Sequence, residues 1–186
     1  MTEKYLLDAN IFINAENYNY PHEIFPGIWQ LFELFAKQQI FFSIDKVYDE
    51  LLKGHDFVNE WAKKNRNMFV DSGTNGISYF NEMSKKLDEY NCPPKHRQSF
   101  FSTIADPFII SYAKAKGCTV VTNEALTNNG FQGKIKIPDM CRELEVRCIS
   151  LTTLLKEVKP NFILDKKSIE CYGVIDPLED DRTGNS

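Results

Sequence analysis

Ligand spacing for zinc is missing from this chain. Its 186 residues hold three histidines, all isolated, and five cysteines with no Cys-x-x-Cys pair, which excludes a zinc ribbon and a thioredoxin-like redox motif. Cys92, Cys118, Cys141, Cys148 and Cys171 form an odd set, three of them beside apolar residues, and are expected to be reduced and structural. His22, His55 and His96 fall in loops or at helix ends and read as surface residues. No apolar run approaches the ~18 to 20 residues needed to span a bilayer. Excess positive charge is absent too: the net charge is −4, so the surface as a whole has no strong electrostatic pull on nucleic acid, and any such contact must be local. There is no internal repeat and no low-complexity tract. Residues 1–4 lead into an apolar strand without a signal-peptide pattern, so a cytoplasmic location without membrane contact is expected.

What is present is an ordinary globular composition, 42% hydrophobic and 13% aromatic, with turn signals between short apolar runs. The length fits one domain over residues 1–164, followed by a polar, poorly ordered tail over residues 165–186. Tyr5, Leu6 and Leu7 make a short buried strand that stops at Asp8, and Ile11, Phe12 and Ala15 then recur at helical spacing. Asp8 thus stands at the carboxyl end of a strand, where ligands collect in open α/β sheets; a plain helix cap by Asp8 or Asn10 is the alternative.

Further along, residues 40–44 read as a second buried strand. Asp45 is expected to cap a helix that carries Asp49 and Glu50 and ends near Gly54. Two amphipathic helices around Trp61 and Leu87 resemble an inserted helical arm. Pro93 and Pro94 break the chain. Asp106-Pro107 is expected to open a helix with Asp106 as its cap. Residues 118–122 form a β-branched strand ending at Asn123-Glu124. Residues 134–137 alternate Lys and Ile and read as a short edge strand, Pro138-Asp139 opens a helix, residues 147–151 form a last strand, and Thr152 caps the last helix. This order gives an α/β fold in three α/β/α layers around a central parallel sheet, with a helical insertion.

Asp8, Glu50, Asp106, Glu124 and Asp139 each fall at a strand end or within the first turns of a helix, so all of them can face one edge of such a sheet. Like charges crowded into one cleft repel, and a cation normally neutralises them. Oxygen ligands without His or Cys suit Mg²⁺ or Mn²⁺. Asn10 and Thr122 are placed to orient a ligand or water from behind. Lys95, Arg97, Lys134 and Lys136 can supply local phosphate contacts, and Tyr18, Tyr20 and Trp29 can stack an unpaired base. For Asp106 and Asp139 a cap, and for Glu124 a plain loop carboxylate, are the alternatives.

The run Leu6-Leu7-Asp8-Ala9-Asn10-Ile11-Phe12, then Val47-Tyr48-Asp49-Glu50-Leu51, then Ala105-Asp106-Pro107, then Val120-Val121-Thr122-Asn123-Glu124, in that order, resembles a PIN domain over residues 4 to 158. The resemblance extends to a subgroup of bacterial and archaeal PIN proteins with a helical insertion, whose relatives include VapC-type toxins. It implies a metal-dependent endoribonuclease acting on RNA, the toxin of a toxin–antitoxin pair, often a homodimer, with Asp8, Glu50, Asp106 and Glu124 in the acidic catalytic and metal positions. One departure is that the fourth acidic position is usually Asp; here it is Glu124, and Asp139 is an alternative for it. A catalytically degenerate PIN-fold interaction or RNA-binding module is the non-enzymatic alternative. An aspartyl-phosphate phosphatase is the weaker enzymatic one, because Asn10 stands where that chemistry requires a second Asp.

Overall fold

The computed structural model describes residues 3–163, so the expected tail and Cys171 lie outside the described residues. Five strands, β1 (Tyr5–Leu7), β2 (Phe41–Ile44), β3 (Phe69–Val70), β4 (Thr119–Val121) and β5 (Cys148–Ile149), form one sheet in the order β3-β2-β1-β4-β5. Every pairing is parallel. The chain starts in the middle, builds outward through β2 and β3, then returns to the other side of β1. That reversal makes the gap between the carboxyl ends of β1 and β4 the switch point of the sheet, where a crevice opens.

Alternation along β2 separates the two faces. Phe41 is fully buried against Phe35 and Phe32 of α2 (Pro26–Lys37), at ring-centroid distances of 4.7 and 6.4 Å, whereas Phe42 meets Tyr112 of α7 (Ala105–Lys116) at 6.1 Å on the opposite face. On the α2 face, α1 (Ala9–Asn14) and α4 (Phe57–Lys64) complete an aromatic cluster. Phe12 lies 5.6 Å from Phe32 and 5.3 Å from Trp61, and Trp29 lies 5.2 Å from Trp61. Edge-to-face and tilted pairs of this kind add to the stabilisation from burial alone. Trp61 of α4 and Met83 and Leu87 of α5 (Phe80–Glu89) are all buried, so the inserted helices pack into the domain. The remaining helices are α3 (Asp45–Leu51), α6 (Pro94–Ser102), α8 (Ile137–Glu143) and α9 (Leu151–Val158). The result is the expected three-layer α/β/α arrangement around a central parallel sheet. No helix among the described residues is long and apolar enough to cross a membrane.

Four local expectations are corrected. The fifth strand is β3, not residues 134–137; Ile135 and Ile137 are buried, but that segment has no ladder partner and Ile137 begins α8. Asp45 is the first residue of α3 and leaves its cap position to Ile44; its carboxylate accepts from the Ser72 amide at 3.1 Å and pairs with Lys46. Ser150, not Thr152, caps α9, its hydroxyl accepting from the Thr153 amide at 3.2 Å. Asp106 lies inside the first turn of α7 after Ile104 at the cap, and makes no capping bond there.

Candidate functional site

Strand β1 delivers Asp8 to the crevice and hydrogen bonds fix it there. Its amide donates to the Val121 carbonyl at 3.0 Å, Oδ1 accepts from the Ala9 amide at 2.7 Å, and Oδ2 accepts from the Thr122 hydroxyl at 2.9 Å. Asn10, the second residue of α1, donates through Nδ2 to Thr122 Oγ1 at 2.9 Å and accepts from the Asn123 amide at 2.9 Å. The Glu124 amide closes the network on Thr122 Oγ1 at 3.2 Å. Asn10 and Thr122 therefore lock the segment after β4 onto the start of α1 and hold the Asp8 carboxylate from behind.

Asp8, Glu50, Asp106 and Glu124 all line one cavity of about 610 Å³ at this edge. Glu50 comes from α3. Asp106 is presented by the tight α6–α7 turn, where the Ala105 amide reaches the Thr103 carbonyl at 2.6 Å and Ile104 takes a left-handed φ of 59°. That conformation is strained for a β-branched residue, on the order of 1 to 3 kcal/mol, and such strain persists where surrounding contacts enforce it. Ile104 stays about half exposed on the cavity lip.

The electrostatics follow from the crowding. Burial raises the Asp8 carboxyl to about 7, with the charges of Asp106, Glu124 and Glu50 adding and the Thr122 hydrogen bond opposing. Asp106 is raised to about 6 by burial, then by Glu124 and Glu50, against Lys134 and a bond from Thr103. Glu50 is raised by burial, with Lys53 opposing. Among the described residues no three His, Cys, Asp or Glu side chains are drawn together at ligand spacing around one point. The four carboxylates face a shared space without converging on it. Their chemistry nonetheless fits a hard divalent cation: oxygen donors alone, with Asp8 and Asp106 held above their ordinary values first by burial and then by neighbouring carboxylates, a penalty that an ion would relieve.

The other expected site residues separate. Asp139 is buried but does not line the cavity. Its Oδ1 accepts from the Thr127 and Asn128 amides at 2.9 and 3.3 Å, and its Oδ2 from the Thr127 hydroxyl at 2.7 Å. It clamps the loop before α8 and stands apart from the cavity that the other acids line. Asp139→Ala is expected to lower stability by about 2 kcal/mol through the loss of three part-buried hydrogen bonds that tie down this loop, while the Mn²⁺ affinity measured by calorimetry stays unchanged. Glu124 lines the cavity, but Oε1 accepts from Lys136 Nζ at 2.6 Å and Oε2 from the Ile137 amide at 2.9 Å.

Arg97 is committed to Asp88 at 2.6 Å and to the Ser84 carbonyl at 2.9 Å, which removes it from the expected phosphate contacts. Lys95 is exposed on α6 outside the cavity lining, whereas Lys134 stands exposed on its rim. Trp29 is buried and donates to the Tyr20 carbonyl at 3.0 Å, leaving Tyr18 as the exposed ring of the three aromatics. Lys46 and Lys53 also line the cavity, although no motif in the sequence singles them out. Their spacing of four before and three after Glu50 puts all three on one side of α3 and its closing turn, a signal that helical periodicity carries.

No curated protein matches the sequence. A solved structure similar to the chain is VapBC2 from Rickettsia felis bound to a DNA fragment from their promoter, at 19% identity, covering 78% of this chain and 97% of that one with a TM-score of 0.48. Residues 5–162 match the family model described as a domain of unknown function, DUF4411, and the chain belongs to that family.

Proposed function

We propose that this protein is a Mg²⁺- or Mn²⁺-dependent endoribonuclease that hydrolyses RNA phosphodiester bonds. The observation that carries this reading is the meeting of Asp8, Glu50, Asp106 and Glu124 on one cavity in which Asp8 and Asp106 are raised to about 7 and 6. Asp8, Asp106 and Glu50 would hold the ion. A divalent cation bound there supplies Lewis acidity toward a phosphoryl oxygen and lowers the pKa of a water so that it can attack.

The chain's own groups do the rest. Thr122 and Ala9 orient the Asp8 carboxylate through its two oxygens. Glu50, solvent-accessible on the cavity wall and raised, is placed to take a proton from an attacking water. Lys53 and Lys134 on the rim meet backbone phosphates, the local positive charge that the acidic whole lacks. The four ordered motifs support the further reading of a toxin held in check by an antitoxin protein, in the cytoplasm and as a homodimer.

Cleavage of an unstructured RNA by purified protein, with Mn²⁺ and with EDTA, tests the activity. Cleavage that requires the metal is expected, and equal results in the two conditions would sink the proposal. RNA binding without any cleavage would instead favour the degenerate module, for which the engagement of Glu124 by Lys136 is the one specific support.

A further inference from the structure

Glu124 differs from the other three acids of the cavity in being already neutralised. Its side chain is only 14% exposed, and its two oxygens accept from the Lys136 ammonium at 2.6 Å and from the Ile137 amide at 2.9 Å. Lys136 is 28% exposed and is held protonated above the ordinary lysine range, first by its bond to Glu124. Desolvation opposes this, and the charges of Glu124 and Asp106 add to it. The ammonium therefore lies in the field of Asp106 as well.

We propose that Lys136 serves as a resident cation of the acidic cluster, so that the cavity takes one divalent ion on Asp8, Glu50 and Asp106, with Glu124 acting as the anchor of Lys136 and not as a ligand. The inference rests on the metal-binding reading above and goes beyond it in fixing the number of ions and the role of the fourth acid.

Two arguments support it. For an ion to recruit Glu124, a divalent charge must come onto a carboxylate that already holds the partly buried Lys136 ammonium, and two cations at short range on one acid are strongly unfavourable. The charge balance agrees. Four carboxylates face Lys136 and Lys134 on the Asp106 side and Lys53 on the Glu50 side. The remaining deficit is one negative charge, so one divalent ion leaves the cluster with a single positive charge, whereas two would leave it with three. The pair also accounts for the departure from Asp at this position, since the longer Glu124 side chain spans to the Lys136 ammonium and the Ile137 amide together.

Mn²⁺ titration of the full chain, read by calorimetry and by the electron paramagnetic resonance signal of free Mn²⁺, tests this without an activity assay. One ion per chain is expected for the wild type. Replacing the pair together, Glu124→Gln with Lys136→Met, is expected to keep one ion at an affinity within about threefold of wild type, whereas loss of a true ligand would weaken binding by about tenfold or more. Two ions per wild-type chain, or a tenfold loss in the double variant, overturns this inference while leaving metal binding intact. Absence of any Mn²⁺ binding overturns both it and the reading on which it rests. The wild-type count decides the matter even if the double variant fails to fold.

Discussion

Asp8→Asn is expected to abolish RNA cleavage while making the metal-free protein more stable. The loss follows from position: Asp8 is the innermost of the acids, 5% exposed and fixed at the end of the central strand. The Lewis acidity that depends on it is worth several kcal/mol in such reactions, so a fall on the order of 10³-fold is expected. The gain follows from crowding. An amide in this place carries no charge to bury and none to repel Asp106, Glu124 and Glu50, the groups that together with burial raise the acid to about 7.

Part of that gain is given back. The Thr122 hydroxyl now donates to Oδ2 and would face an amide nitrogen, while the bond from the Ala9 amide survives. A net stabilisation of about 2 kcal/mol at pH 8 is expected, equivalent to a rise in Tm of roughly 4 to 8 °C for a domain of this size. Activity and thermal melting in EDTA measure the two halves. A structural aspartate would give the reverse pattern, with cleavage retained and Tm lowered.

The four acids on the cavity were legible because each is announced by local chemistry: a buried run that stops at Asp8 or Glu124, a helical stripe bearing Glu50, an Asp-Pro pair at Asp106. Their common edge then follows from the parallel topology. What stayed hidden depends on contacts distant in sequence. β3 is two residues long and exists through its pairing with Ser43 and Ile44, so residues 69–70 carry no periodic signal. The Lys/Ile alternation of residues 134–137 mimics a strand because Ile135 and Ile137 pack inward while Lys136 reaches Glu124. Asp106 resembles a cap in sequence, yet the turn at Ile104, with its left-handed backbone, starts α7 one residue before it. Asp139 could not be separated from Glu124 by spacing. Only the folded loop reveals that Thr127 and Asn128 take both of its oxygens.

The same crowding sets a pH dependence opposite to that of most acidic pairs. Asp8 has an ordinary value of 3.8 and is raised to about 7, and Asp106 rises from 3.8 to about 6. Between about pH 4 and pH 7 the folded chain therefore binds more protons than the unfolded one, and stability falls as pH rises through that window. For Asp8 alone the full loss is ~4 kcal/mol; Asp106 and Glu50 push the same way, though coupled carboxyls titrate as a group and their contributions do not add. Asp45 opposes this, since its bonds to Ser72 and Lys46 outweigh burial and hold it low, but its effect is confined to pH values below about 4. In EDTA the Tm is thus expected to drop between pH 5 and pH 8. With saturating Mn²⁺ the drop is expected to vanish, because the ion binds the ionised acids and replaces the protons that kept them apart. A Tm in EDTA that holds level or climbs over this range would mean that burial and neighbouring charge do not hold these carboxyls above their ordinary values, and the physical reason for a metal in this cavity would be gone.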